Sequence, residues 1–248
     1  MLFLFIILVV TVPFLYRMIN LGQFSSSVDQ NQNAKNSNYK KAEMLRSIQV
    51  LLGFSFFVYH GILFWGIGNT ICLIIFITLF TMLAEVIGSK SGIIFGGKYE
   101  YIASNTQGYT FRGVPLLIPI AWYGIIYMGL NSYFLLMKVP PSVFYNSFRL
   151  WDILLVAVMI VILDVVLDPI AVDEKRWRWN EPGIYYGVPI LNFFGWFCIV
   201  IAILAVYVTL FPKFNFIDND ESFMMKYAPG MLFVLLHLIS ARPCFERK

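Results

Sequence analysis

Seven stretches of this chain are apolar for about as long as a helix needs to cross a hydrocarbon core roughly 30 Å thick, and little sequence remains between them. They run approximately over residues 2–16, 47–65, 67–87, 114–137, 150–167, 188–211 and 227–241. Lipid offers no water to backbone N–H and C=O groups, so each such stretch must close its own hydrogen bonds, which a helix does. The expectation is an all-α polytopic transmembrane bundle of about seven spans, forming a single integral membrane domain over residues 1–248. Composition agrees, with 59% hydrophobic and 13% charged residues against an apolar share of roughly 45–50% in soluble domains. The last run is the weakest. It is short and opens on Pro229-Gly230, which leaves a re-entrant or interfacial helix as its alternative.

The first run has no basic segment before it and no small-residue cleavage site after it, so it reads as a retained span and not as a cleaved leader. Residues 21–43, rich in Ser, Asn and Gln without apolar period, read as a flexible polar loop. Fourteen Lys and Arg residues fall in the first, third and fifth loops and the C-terminal tail, and four (Lys138, Arg149, Lys213, Lys226) fall on the other side. Positive charge stays inside, which places the N-terminus outside the cell membrane and the C-terminus and the third and fifth loops in the cytoplasm. Because these cations are scattered over short loops and form no stripe, the net charge of +4 does not point to nucleic acid. Cys72, Cys198 and Cys244 have no paired spacing, so neither disulfide nor metal is implied.

Gly113-Val114-Pro115 is followed seven residues after the proline by Trp122, and Gly187-Val188-Pro189 likewise by Trp196. In both places an acid-bearing helix enters the loop and a helix begun at the GVP leaves it. That pattern suggests an internal repeat of helix pairs, with a site at the repeat interface; the alternative is that proline simply suits a helix start.

Acids inside spans cost several kcal/mol and are functional candidates. Glu85, Asp152, Asp164 and Asp168 qualify. Asp164 and Asp168 are four residues apart, hence on one helix face and about 6 Å apart along the axis. Carboxyls so placed perturb each other, and one stays protonated at neutral pH, able to donate a proton. Pro169 is expected to end the span at Asp168. Glu85 holds the corresponding place in the first helix pair. Asp152, beside Arg149, is expected to be a helix cap, and His60 and His237 to hydrogen-bond between helices. The aromatics of the third loop (Tyr99, Tyr101) and fifth (Trp177, Trp179, Tyr185, Tyr186) exceed what an interfacial belt needs, and aromatic faces stabilise a cation. Arg112 and Arg178 could instead hold an anionic head group.

From Glu85 to Trp196 the chain resembles the carotenoid biosynthesis membrane-protein family that contains carotenoid 1,2-hydratases and bisanhydrobacterioruberin hydratases. The resemblance rests on the GKYEY segment with Glu85, GVPLLIPIAW ending at Trp122, DVVLDPIAV from Asp164, the WRW of Trp177 to Trp179, and YYGVPILNFFGW from Tyr185 to Trp196. It makes residues 85–196 the motif-bearing core. It implies a cofactor-independent hydratase acting on a terminal isoprenoid double bond of a carotenoid, with water as second substrate and with membrane lipid and other pathway enzymes as partners. On that expectation Asp164, Asp168 and Glu85 are catalytic, and Tyr99, Tyr101, Trp122, Trp177, Trp179, Tyr185, Tyr186, Asn192 and Trp196 line the substrate site. Three rivals share these residues: an end-group cyclase, a prenyltransferase in which the aspartates bind magnesium and diphosphate, and a lipid-binding or transport protein.

Overall fold

The computed structural model describes residues 2–20, 32–103, 105–106, 108–147, 149–210 and 223–245. The elements in chain order are α1 (Leu2–Asn20), α2 (Gln32–Trp65), α3 (Ile67–Ser91), β1 (Tyr99–Tyr101), β2 (Thr110–Phe111), β3 (Val114–Pro115) and α4 (Leu117–Met137). They continue with α5 (Pro141–Ser147), α6 (Leu150–Asp173), β4 (Trp177–Trp179), α7 (Ile190–Leu210) and α8 (Phe223–Phe245). Six helices, all but α5 and α8, are long and apolar enough to cross a membrane, and the described apolar part of α8, Met225–Ile239, is shorter. The chain is an all-α, multi-pass membrane protein.

α4 is the centre of the bundle. Two thirds of its apolar window (67%) is buried, against 33–44% for the other five, and it packs on α2, α3, α6 and α8. Small residues permit the close approach. A Cβ on Gly129 would lie 2.6 Å from Ile160 of α6, and one on Gly230 of α8 would lie 2.9 Å from the Asn131 carbonyl. Polar side chains on α4 find partners within the bundle: Ser132 donates to the Met128 and Gly230 carbonyls, and Asn131 to the Tyr127 carbonyl. His60 of α2 takes the Tyr127 hydroxyl at Nδ1 (2.6 Å) and donates from Nε2 to the Met225 and Lys226 carbonyls, tying α2, α4 and α8 together. His237 differs from expectation, since its hydrogen bond runs to the Phe233 carbonyl one turn back on its own helix. Asp152 does cap α6, accepting the Arg149 N–H and the Tyr133 hydroxyl.

Three further sequence-based expectations need correction. Residues 32–43 are not loop but the first turns of α2, whose face carrying Tyr39 and Ala42 packs on Tyr16, Val12 and Ile19 of α1; packing on a neighbour decides where composition alone reads disorder. Residues 21–31 lie outside the described residues. Pro169 does not end the fifth span: α6 runs on to Asp173, and the Glu174 and Arg176 N–H groups close onto the Ile170 and Ala171 carbonyls. Transmembrane helices tolerate proline because the surrounding bundle satisfies what it frees. The GVP triplets lie just before the helices and not inside them, with α4 starting at Leu117 and α7 at Ile190, directly after Pro189. Val114–Pro115 is a strand paired to Thr110–Phe111, Val188 bridges Tyr185, and α4 and α7 begin afterwards. Gly113 (φ 93°) and Gly187 (φ 86°) each make the turn in a backbone region that suits glycine.

The loops after α3 and α6 pair with each other. β1 and β4 pair antiparallel with Tyr99 opposite Trp179, Glu100 opposite Arg178 and Tyr101 opposite Trp177. The helix pairs α3–α4 and α6–α7 therefore meet twice: in this ribbon, and where Trp122 stacks on Trp196 at 3.6 Å between centroids. The echo seen in the sequence is a spatial one, with α3 packed on α7 and α4 on α6.

Candidate active site

Below the ribbon, three carboxyls are buried. Glu85 near the end of α3 is 4% exposed, Asp164 is 4% and Asp168 8%. Each needs donors, because a buried polar group without them costs several kcal/mol. Glu85 accepts from Tyr99 and, at 2.9 Å, from Tyr101, both from β1, and the Trp122 indole is a further donor. The two phenols are pushed well up from their ordinary range, by burial first and then by the adjacent carboxyl, so they remain donors.

The aspartates have less. Asn192, entering from the first turn of α7, donates to Asp168 at 2.6 Å and to Asp164 at 3.5 Å, and it is 2% exposed. Among the described residues, no ion pair joins either aspartate to an Arg or Lys of another span. Both interact electrostatically with Glu85, and Tyr101, which bonds Glu85, also packs edge-on against Trp177.

On their other side the aspartates form the wall of a cavity of about 190 Å³ between α2, α4 and α6. Apolar groups dominate its lining: Val50, Phe54 and Phe57 from α2, Ile118, Ile125 and Met128 from α4, Phe5 from α1 and Leu236 from α8. The loop end is polar, with Arg46, Gln49, Glu174 and Arg176. Arg46 reaches both oxygens of Glu174 at 3.2 Å and Gln49 at 3.3 Å; Arg176 pairs with Glu43 at 3.3 Å, and Tyr16 of α1 hydrogen-bonds that same Glu43. Burial pushes the Glu174 carboxyl up, opposed by Arg46 and Arg176. These crossed pairs bridge α2 to the turn after α6.

Of the residues singled out in the sequence, Asp164, Asp168 and Trp177 line the cavity. Glu85, Tyr99, Tyr101, Trp122 and Asn192 stand behind the aspartates, with Trp196 stacked on Trp122 and Trp179 on Tyr99. Tyr185 packs on Tyr186 and on Phe193, and neither tyrosine lines the cavity. Arg178 is taken by Glu100 at 2.6 Å on the surface, and the exposed Arg112 lies over the Phe111 ring. The sequence-based reading missed Glu43, Gln49, Glu174 and the wall of phenylalanines. Arg46 and Arg176 entered it only as topological charges, and a Phe within an apolar run carries no signal of its own. Among the described residues, no three His, Cys, Asp or Glu side chains converge as a metal site.

A family described as "Carotenoid biosynthesis protein" matches the chain over residues 45–242. A curated relative, bisanhydrobacterioruberin hydratase of Haloarcula japonica, is 30% identical over 122 residues. That stretch covers 48% of this chain and 38% of the relative, so most of the relative's length is unmatched. No solved structure matches.

Proposed function

This chain belongs to the carotenoid biosynthesis protein family, and from that premise we propose that it adds water to a terminal isoprenoid double bond of a carotenoid, without a cofactor. The observation that carries this is the placing of Asp164 and Asp168 on the wall of a cavity that is apolar along its length and polar at one end. A polyene end suits the apolar part, and the Arg46, Gln49, Glu174 and Arg176 rim suits water.

The chemistry follows from the pair. The protonated carboxyl gives its proton to the less substituted alkene carbon, and the π electrons become the new C–H bond. A tertiary cation remains on the other carbon. The ionised carboxyl holds a water whose oxygen lone pair forms the C–O bond, and takes the proton that this water releases. The proton has then moved from one aspartate to the other, and the net change is addition of one water. Asn192, donating to both, holds the two carboxyls on the same side of the cavity. Glu85 with its tyrosines stands behind them as a positioning group. A polar rim beside the cation favours capture by water over capture by an internal double bond, which would give a ring instead.

We place the loop end of the bundle in the cytoplasm and the N-terminus outside the cell membrane, since fourteen of eighteen Lys and Arg residues fall on the loop side. Carotenoid and water are the proposed substrates, with membrane lipid around the bundle and other pathway enzymes as neighbours. The test is expression in a bacterial host that accumulates linear and monocyclic carotenoids. A pigment heavier by one water, absent with Asp164→Asn, Asp168→Asn, is expected. A product of unchanged mass but altered end group would replace hydration with cyclisation.

A further inference from the structure

α1 lies before the family-matched residues, which begin at 45, yet it contributes to the cavity through Phe5. That ring is 5% exposed and is seated on Gly53 of α2, where a Cβ would come within 2.7 Å of the Phe5 Cε2. It meets Phe57 edge to face at 5.9 Å between centroids. Helix rise fixes its level. Asp168 stands six residues before Glu174 on α6, about 9 Å; Gly53 stands seven residues after Arg46, Glu174's partner, about 10 Å along α2. Phe5 and Asp168 therefore lie at one depth on the lining of one cavity. A double bond presented to the aspartates has the carboxyls on one side and the phenylalanines on another.

We propose that Phe5 is a catalytic residue whose ring stabilises the tertiary cation formed when an aspartate protonates the alkene. This rests on the hydration reading above. On the apolar side of the cavity, across from the carboxyls, positive charge finds few partners, and an aromatic ring is one that needs no counter-ion and does not trap the cation as a covalent adduct. Gly53 is what lets the ring reach the cavity.

The experiment uses the full chain in the polyene-accumulating host, measuring hydrated product per amount of protein in membranes and, separately, the polyene that co-purifies with the protein. Phe5→Leu and Phe5→Met keep an apolar wall without a π face, and Phe5→Tyr keeps the face. Leu and Met are expected to lose about tenfold to thirtyfold in product, with co-purified polyene unchanged, and Tyr to stay within about twofold of wild type. Leu or Met at wild-type turnover overturns the proposal, as does loss of co-purified polyene in proportion to lost product, which would make Phe5 a wall and no more. If Phe5→Leu does not accumulate in membranes, the Met and Tyr pair decides alone. Wild-type protein that carries polyene yet yields no hydrated product would instead sink the hydration reading, and Phe5-dependent polyene binding would still be measurable.

Discussion

Glu85 and the Asp164–Asp168 pair are all buried carboxyls in one region of the bundle, but they are housed differently. Glu85 is enclosed by Tyr99, Tyr101 and Trp122, while the two aspartates share a single amide from Asn192 and border a cavity. A carboxylate has about four acceptor sites; three donors leave Glu85 little to offer a substrate, while one shared amide leaves the aspartates most of theirs. Residues that look alike in sequence, an acid near the loop end of each helix pair, are thus enclosed by donors in one half and set on a cavity wall in the other. The loop aromatics follow the same division, since most of them build that enclosure and the ribbon above it, and Trp177 alone of those chosen from the loops reaches the cavity.

The largest expected effect is that of Asp164→Asn with Asp168→Asn, which should lower hydrated product by a thousandfold or so, in the range of a lost general acid. Measured by pigment mass, retention of full turnover in this double variant would abolish the division. Next comes Glu174→Gln, which leaves the part-buried Arg46 without its charge partner and should cost up to about 3 kcal/mol of stability. Thermal inactivation in detergent would register it, and an unchanged midpoint would mean that the crossed pairs do not tie α2 to α6. Glu85→Gln sharpens the comparison most directly. The glutamine carbonyl still accepts from the tyrosines, so product should fall by only about tenfold, short of the roughly hundredfold or more that losing a general acid or base costs. A loss as deep as that of the aspartates would move Glu85 into the chemistry. Smallest is Arg178→Gln, which removes the exposed pair with Glu100; a change within about 1 kcal/mol in stability is expected, with product unaffected. A large effect there would show that the ribbon depends on its surface ion pair and not on the stacked aromatics beneath it.

Some of this was legible from residue order. The spacing of Asp164 and Asp168 put both on one helix face, and the repeated GVP with its tryptophan seven residues on marked two helix pairs that do meet, at Trp122 and Trp196. Other features were hidden for a physical reason. Pro169 looks like a stop because local rules see only the lost N–H, and α6 passes through it because the bundle around it supports the helix. Residues 32–43 look like a loop because polar composition cannot reveal that α1 will cover one face.

The sequence by itself determined the environment and the periodicity: long apolar runs cannot leave their backbone unsatisfied in lipid, so they are helices, and acids four apart on such a helix share a face. Only the tertiary structure decided which acid is enclosed by donors and which borders the cavity. That depends on the partners brought from elsewhere in the chain: β1 over Glu85, α7 at the aspartates, and α1 with α2 across the cavity. Helix periodicity is a local property that residue order carries on its face, whereas satisfaction of a buried carboxyl is a contact between segments tens of residues apart, settled when the bundle closes.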